Sequence, residues 1–503
     1  MALKSFGFVL FITLFLIVYF LAGRVVPQRW IVLAFSLYVV LRATGPVSLA
    51  VLLVVCTMVW AAGRIIARDR KSDPGRAGLW YLIGLVFCIG VLLYFKFLTP
   101  VYDGLAAIIA NRGGVSLPEI AAPIGLSYYA LSLAAYLTDI RYGKHEAEES
   151  LTDLFAYAMY FPALFQGPIN LYKDLMPQLK ENHSFDQTNL VYGLQRLLWG
   201  YVKKAVIADR IGILVTGMLG DENVRGAALF FAMVLYSFQI YADFSGGIDV
   251  IMGVSETMGI TLKENFRAPL ISHSVTEYWQ RWHMTLGTIM EKYLYYPIVL
   301  SKRMRRLSKK IKSKYLSRVF AATVATFIVF VLVGIWHGTG WNYVVYGLYQ
   351  AFFTSTAILL GPVYKRIKEI LHIHDKNPVW SLFTILRTFV VLTFGRYLIR
   401  VATLSRAGAL YARTFSFAGA PKLGIDMLTQ WLNARNLILM LCGILVMIAV
   451  DILHDRGVQI RTTILSMPLP VRYAIYYAAI FLIIICGIYG KGYDAASFIY
   501  EQF

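Results

Sequence analysis

The sequence predicts an all-α, polytopic integral membrane protein, and three observations carry that expectation. Of its 503 residues, 58% are apolar and only 15% are charged, whereas soluble domains run near half apolar and a quarter charged. Apolar runs that approach the length of a bilayer span recur along almost the whole chain. The remaining charge is clustered between those runs rather than spread as a soluble surface requires. These features exclude a disordered chain, a disulfide scaffold and a soluble nucleic-acid binder, despite a net charge of +20 and a pI near 9.6.

The candidate spans are 6–22, 28–41, 47–63, 79–98, 120–138, 151–167, 190–217, 226–242, 319–336, 341–361, 379–402, 437–453 and 471–489. Gly and Pro interrupt several, so the pattern predicts about 11 crossings, with interfacial and re-entrant helices for the rest. The first run carries Lys4, has no small-residue cleavage site before Arg24 and is followed at once by another apolar run. It reads as a retained anchor rather than a signal peptide. The whole of 1–503 reads as one membrane-embedded domain, with a motif-bearing core at 157–350 and flanking transmembrane segments at 1–150 and 365–503.

Charge orients the chain. The stretch 302–318 holds Lys302, Arg303, Arg305, Arg306, Lys309, Lys310, Lys312, Lys314 and Arg318 without an acid, and Arg64–Arg76 and Lys365–Lys368 are also basic. Short basic loops stay in the cytoplasm, so the +20 reports orientation more than an anionic partner. Cys56, Cys88, Cys442 and Cys486 lie inside apolar runs with neither metal nor redox spacing. No motif predicts a metal, and His372-Ile373-His374-Asp375 reads as a solvated loop.

Polar residues break the apolar pattern between 157 and 350. Tyr160-Phe161-Pro162 and Gln166-Gly167-Pro168 cannot run as a straight helix. They form either a pocket wall or a loop between spans, since irregular backbone at membrane depth must be covered by protein or line a cavity. Asp243 closes the run 226–242, and an intramembrane carboxylate faces a cavity or a partner. It either orients a catalytic group or locks two helices together. Ser274-Val275-Thr276-Glu277 is a capping-box start, and Glu277, Tyr278, Trp279, Arg281, Trp282 and His283 mix charge with aromatics. That composition predicts a helix in the cytoplasmic interface.

The most unusual environment is Gly334-Ile335-Trp336-His337-Gly338-Thr339-Gly340-Trp341-Asn342. Apolar runs flank it on both sides, and both outer flanks are basic, so the two runs predict a hairpin with His337 at its far tip or in a glycine-opened break. Beside Trp336, Trp341 and Asn342, a buried imidazole stays neutral and able to accept a proton. His283 lies on a different element, so only the fold can bring the two histidines together.

These motifs resemble the membrane-bound O-acyltransferase family, and in particular its bacterial alginate O-acetyltransferase-like branch. The match runs through Tyr160-Phe161-Pro162, Gln166-Gly167-Pro168 and Pro177-Gln178-Leu179, then Asp243-Phe244-Ser245-Gly246, Asp249, Glu264-Asn265-Phe266 and Pro269. It continues through Ser274–His283 and Trp336-His337-Gly338 with Trp341, and closes on Phe498–Phe503. The resemblance implies a central tunnel and acyl transfer across the membrane to an extracytoplasmic hydroxyl. It implies that His337 is the catalytic histidine and His283 the second, nearer the donor entrance. Asp243, Gln166, Trp336, Trp341, Asn342, Arg281, Trp282 and Glu277 are then candidates to line or support the tunnel.

The resemblance also implies a cytoplasmic acyl donor, acetyl-CoA or a carrier-protein thioester, used as co-substrate with no bound cofactor. The acceptor would be an extracytoplasmic polysaccharide or cell-wall glycan, reached directly or through an SGNH-like, esterase-fold partner, from the bacterial cytoplasmic membrane. Acyl carrier protein and membrane lipid are the other expected partners, and nucleic acid is not. Two alternatives stay open at this point: D-alanyl transfer from a carrier protein to teichoic acid, and a non-enzymatic transporter or flippase.

Overall fold

The computed structural model describes residues 6–98, 123–164 and 166–489. The terminal motif 498–503 and the start of the 120–138 run lie outside the described residues. Among the described residues there is no β-strand, only an isolated antiparallel bridge between Phe266 and Trp282. The predicted all-α membrane architecture is therefore observed. Among the described residues, seven helices are long and apolar enough to cross a bilayer, or eight if a bent pair is one span.

Several of the predicted runs take a broken form for local reasons. Runs 28–41 and 47–63 are two helical segments within Gln28–Asp69, separated by a kink where Gly45 adopts φ 80° just before Pro46. A glycine at positive φ followed by a residue without an N–H interrupts the helical hydrogen-bond ladder there. Run 151–167 folds as Leu151–Ala158 and Phe161–Leu164, both too short to span. Run 190–217 is split by a π-helical turn at Val202–Ala208. The helix Trp341–Leu359 bends by 62° into Gly361–Ile370.

The described residues divide into two compact units, one drawn from 6–197 and 248–263 and the other from 198–247 and 264–489. In the first, Glu148 is a buried node. It accepts from Lys180 Nζ at 2.6 Å, from the Tyr172 hydroxyl, and from the Glu149 and Ser150 amides at 2.9 and 3.1 Å. Those donors hold its carboxyl below the usual range against the opposing effect of burial. Arg196 bridges Asp249 at 2.9 Å and Glu256 at 2.8 Å. Gln166 is buried in this unit, and both atoms of its side-chain amide lack a hydrogen-bond partner among the described residues.

The second unit is built around a helical hairpin, Lys314–His337 and Trp341–Leu359. Its helices approach closely because Gly334 and Gly347 carry no side chain. A Cβ on either would lie 2.3 Å from a backbone oxygen of the opposite helix, Tyr343 O or Phe330 O. Small residues at such crossings are the usual device for tight packing in lipid. Helix Leu469–Cys486 has none of its residues buried, and Ala434–Asp455 only a few. Their exposed Leu, Ile, Phe and Tyr side chains form the apolar face that a bilayer covers.

Candidate active site

His337 is the last residue of its helix. Nineteen residues separate it from Arg318, roughly 28 Å at 1.5 Å per residue, close to the thickness of a hydrocarbon core. The hairpin tip is therefore far along the helix from the basic 302–318 stretch, as the two flanking runs predict. The helix stops there because Gly338 is extended and Gly340 starts the return helix. His337 is 6% exposed and lines a small cavity with Ile240, Tyr278, Trp282, Tyr343, Tyr346, Arg396 and Ile399.

Those side chains come from the helix Gly226–Thr257, the short helix Val275–Arg281 with Trp282 at its end, the two hairpin helices and the helix Pro378–Arg400. The Val275–Arg281 helix starts at Ser274, whose hydroxyl accepts from the Glu277 amide, while Glu277 accepts from the His273 amide. The capping signal in the sequence is thus realised, with the return contact shifted by one residue. This short helix presents Tyr278, which stacks on Trp282 with ring centroids 5.5 Å apart. Arg281 pairs with Glu277 at 2.9 Å and Asp455 at 2.8 Å. Arg281 and Glu277 brace the helix from outside the cavity lining, whereas Trp282 faces into it.

The helix Pro378–Arg400 carries Arg396. Asn342, fully buried at the start of the return helix, donates from Nδ2 to Leu398 O at 2.9 Å and Val401 O at 3.0 Å. One side chain thereby satisfies two carbonyls at a helix end and ties the Arg396 helix to the hairpin tip. Beneath lies a buried cluster of Tyr346, Leu398 and Ala407.

His283 sits outside the lining but belongs to the same aromatic group. Its ring is 6.1 Å from Trp336, which is 4.9 Å from His337, and it lies edge-on to Phe244 at 5.0 Å. The fold thus brings the two histidines of distant elements together through Trp336. His283 adopts φ 48°, a left-handed conformation uncommon for such a residue and costing of order 1–3 kcal/mol.

A hydrogen-bond network holds the His283 ring and sets its tautomer. Asn265 Oδ1 accepts from Thr285 N at 3.1 Å and Thr285 Oγ1 at 2.8 Å, and lies 3.2 Å from His283 Nδ1. A backbone N–H can only donate, so the shared atom is an acceptor, and Nδ1 must carry the proton. Nε2 is then the basic nitrogen of a neutral ring. Burial holds this imidazole well below its ordinary value, and nearby His337 adds to the effect.

The remaining predicted residues are placed elsewhere. Asp243 is buried in a salt bridge to Lys204 Nζ, which also meets Asp209 at 3.1 Å, while neighbouring Lys203 donates to Ser245 at 2.9 Å. Of the two roles the sequence left open for Asp243, this is the geometry of a lock between helices. Trp341 is 75% exposed and lines no part of the cavity. Gln166 belongs to the other unit. Sequence reasoning missed Arg396, Tyr278 and Tyr346. The first had a signal: an arginine inside the apolar run 379–402 is by itself a functional-site pointer.

Long apolar helices around a buried imidazole, an arginine and paired aromatics define a multi-pass membrane protein with a water-poor polar site. The profile of the membrane-bound O-acyltransferase family matches residues 141–392, half of the chain. A probable alginate O-acetylase of Pseudomonas aeruginosa is 30% identical over 444 residues, covering 87% of this chain and 78% of the relative. The peptidoglycan O-acetyltransferase of Helicobacter pylori is 27% identical over 54% of this chain and 53% of its own. The teichoic acid D-alanyltransferase of Bacillus subtilis is 27% identical over 55% and 68%. The chain belongs to the membrane-bound O-acyltransferase family and is an O-acyltransferase.

Proposed function

We propose that this enzyme of the bacterial cytoplasmic membrane transfers an acetyl group from a cytoplasmic thioester to hydroxyls of an extracytoplasmic polysaccharide or cell-wall glycan. The observation that carries the reading is His337: a buried imidazole at a hairpin tip, about one hydrocarbon thickness from the basic flank, opening on a cavity. A site so placed meets the acceptor from outside while the donor reaches it through the protein from the basic side, and neither substrate need cross. The donor is acetyl-CoA or an acylated carrier protein, and the glycan is reached directly or through an SGNH-like partner.

His337 takes the acceptor hydroxyl proton as that oxygen attacks the thioester carbonyl, then returns it to the leaving thiolate. His283, with Nε2 unprotonated and its ring held by Asn265, fixes the Trp336 edge that packs on His337. Asn342 keeps the hairpin tip in register with the Arg396 helix. Support for acetyl transfer to a glycan comes from relatives named for that chemistry, which match over 81–87% of this chain in the fuller alignments.

D-alanyl transfer to teichoic acid is the second reading. The relatives named for it align over 55–62% of the chain, and the basic helix Lys302–Lys309 would suit an acidic carrier. The test is His337→Ala in the native host. Envelope O-acetylation should be lost at unchanged protein abundance, and acetylation that persists at the wild-type level sinks the proposal. Loss of D-alanine esters instead would decide for the second reading.

A further inference from the structure

Arg396 is 4% exposed and lines the His337 cavity. A buried guanidinium ordinarily sits against a carboxylate, because leaving a charge uncompensated in low dielectric is costly. Among the described residues no Asp or Glu pairs with Arg396. Its Nη2 donates to the Tyr278 hydroxyl at 3.1 Å, and the guanidinium carbon lies 5.7 Å from the Tyr278 ring centre. Its Nη1 has no hydrogen-bond partner among the described residues. The Asn342 clamp on Leu398 O and Val401 O fixes the helix that bears it.

From this geometry we infer that Arg396 and Tyr278 form the oxyanion site of the transfer reaction. The inference rests on the acyl-transfer reading above and deepens it. When the acceptor oxygen bonds to the thioester carbonyl carbon, His337 holds the acceptor's proton and the carbonyl π pair moves onto oxygen as a full negative charge. Arg396 Nη1 donates to that oxygen. The Tyr278 hydroxyl already accepts from Arg396, so its own proton is directed elsewhere, and the adjacent cation strengthens it as a second donor. Collapse returns the pair to the carbonyl, breaks the carbon–sulfur bond and sends the proton from His337 to the departing thiolate.

A single developing oxygen suits the site better than a standing anion does. A carboxylate or phosphate group of a substrate would call on the paired edge of the guanidinium, but Nη2 already gives one N–H to Tyr278, which leaves Nη1 as the nitrogen with both N–H groups unengaged among the described residues. A preorganised donor worth most when charge appears lowers the barrier rather than tightening ground-state binding.

The test uses full-length protein in proteoliposomes with radiolabelled acetyl-CoA and the host's own envelope glycan, with kcat and KM measured separately. Arg396→Gln should lower kcat by about 10²–10³-fold, as loss of one oxyanion donor does, with donor and acceptor KM within a few-fold. Tyr278→Phe should cost less, and the double variant should lose less than the product of the two. Arg396→Lys keeps the charge and one donor, so it should recover part of kcat and guards against misfolding of the Gln variant. Thermal unfolding of each variant in detergent checks the fold directly. A folded Arg396→Gln protein with normal kcat, or with its whole defect in KM, overturns the inference. If wild-type transfer is absent or survives His337→Ala, the underlying acyl-transfer reading fails instead.

Discussion

Lys204 and Arg396 are both buried cations in the same unit, and the protein treats them in opposite ways. Lys204 is 3% exposed and faces two carboxylates, Asp243 and Asp209, so its charge is cancelled where it stands. Arg396 is as deeply buried, and the described residues offer it only a phenol. The compensated cation sits at a π-helical turn away from the cavity, and the uncompensated one lines it. A buried charge left open beside a buried base is poised for charge that arrives later, whereas a closed pair holds helices together.

The comparison breaks most visibly at Asp243. Asp243→Ala takes one of two carboxylates from Lys204, and loss of a buried hydrogen bond to a charged group costs about 1.5–3 kcal/mol. The expected outcome is loss of folded protein, read as abundance in the membrane fraction and as a lowered unfolding temperature in detergent. Arg396→Gln should leave both near wild type while abolishing most transfer. An Asp243→Ala protein that is stable but inactive would place the carboxylate in the chemistry instead of the scaffold.

A smaller effect separates the two histidines. The folded environment lowers the affinity of His283 for a proton, to a value near 3 against an ordinary 6.5. Between those values the unfolded chain binds a proton that the folded one does not. Its contribution to stability is therefore present above pH 6.5 and lost as pH falls, by up to about 1.4 kcal/mol per unit. Melting temperatures measured from pH 7.5 to 5 should drop more steeply for wild type than for His283→Gln. Parallel curves would mean that the ring is not held neutral.

Much of this was legible before the fold. His337 stood out because glycines open the chain around it in an otherwise apolar stretch, and Ser274-x-x-Glu277 marked a helix start that is formed. Arg396 was masked by its own surroundings. Hydropathy over 379–402 averages its arginines into an apolar window and does not single out Arg396 from Arg387 and Arg400, and only the packing of that helix against Tyr278 shows what Arg396 faces. Gln166 could not be located from sequence, since nothing local says which unit will bury a proline-bracketed turn. Trp341, four residues after His337 in sequence, is exposed and lies outside the cavity lining.

That last point yields the mildest prediction, and it discriminates sharply. Trp336 and Trp341 flank the same histidine, one residue before it and four after, yet Trp336 packs between His283 and His337 while Trp341 is exposed beyond the Gly338–Gly340 break. Trp336→Ala removes the ring that sets the imidazole's position, and small misplacements of a reacting group cost up to about 100-fold. Its transfer rate should fall at least about tenfold at similar abundance. Trp341→Ala deletes an exposed ring and should alter stability by no more than about 0.5 kcal/mol, with transfer within about twofold of wild type. Equal losses for both would mean that the substrate enters across the hairpin tip and touches Trp341 on its way to His337.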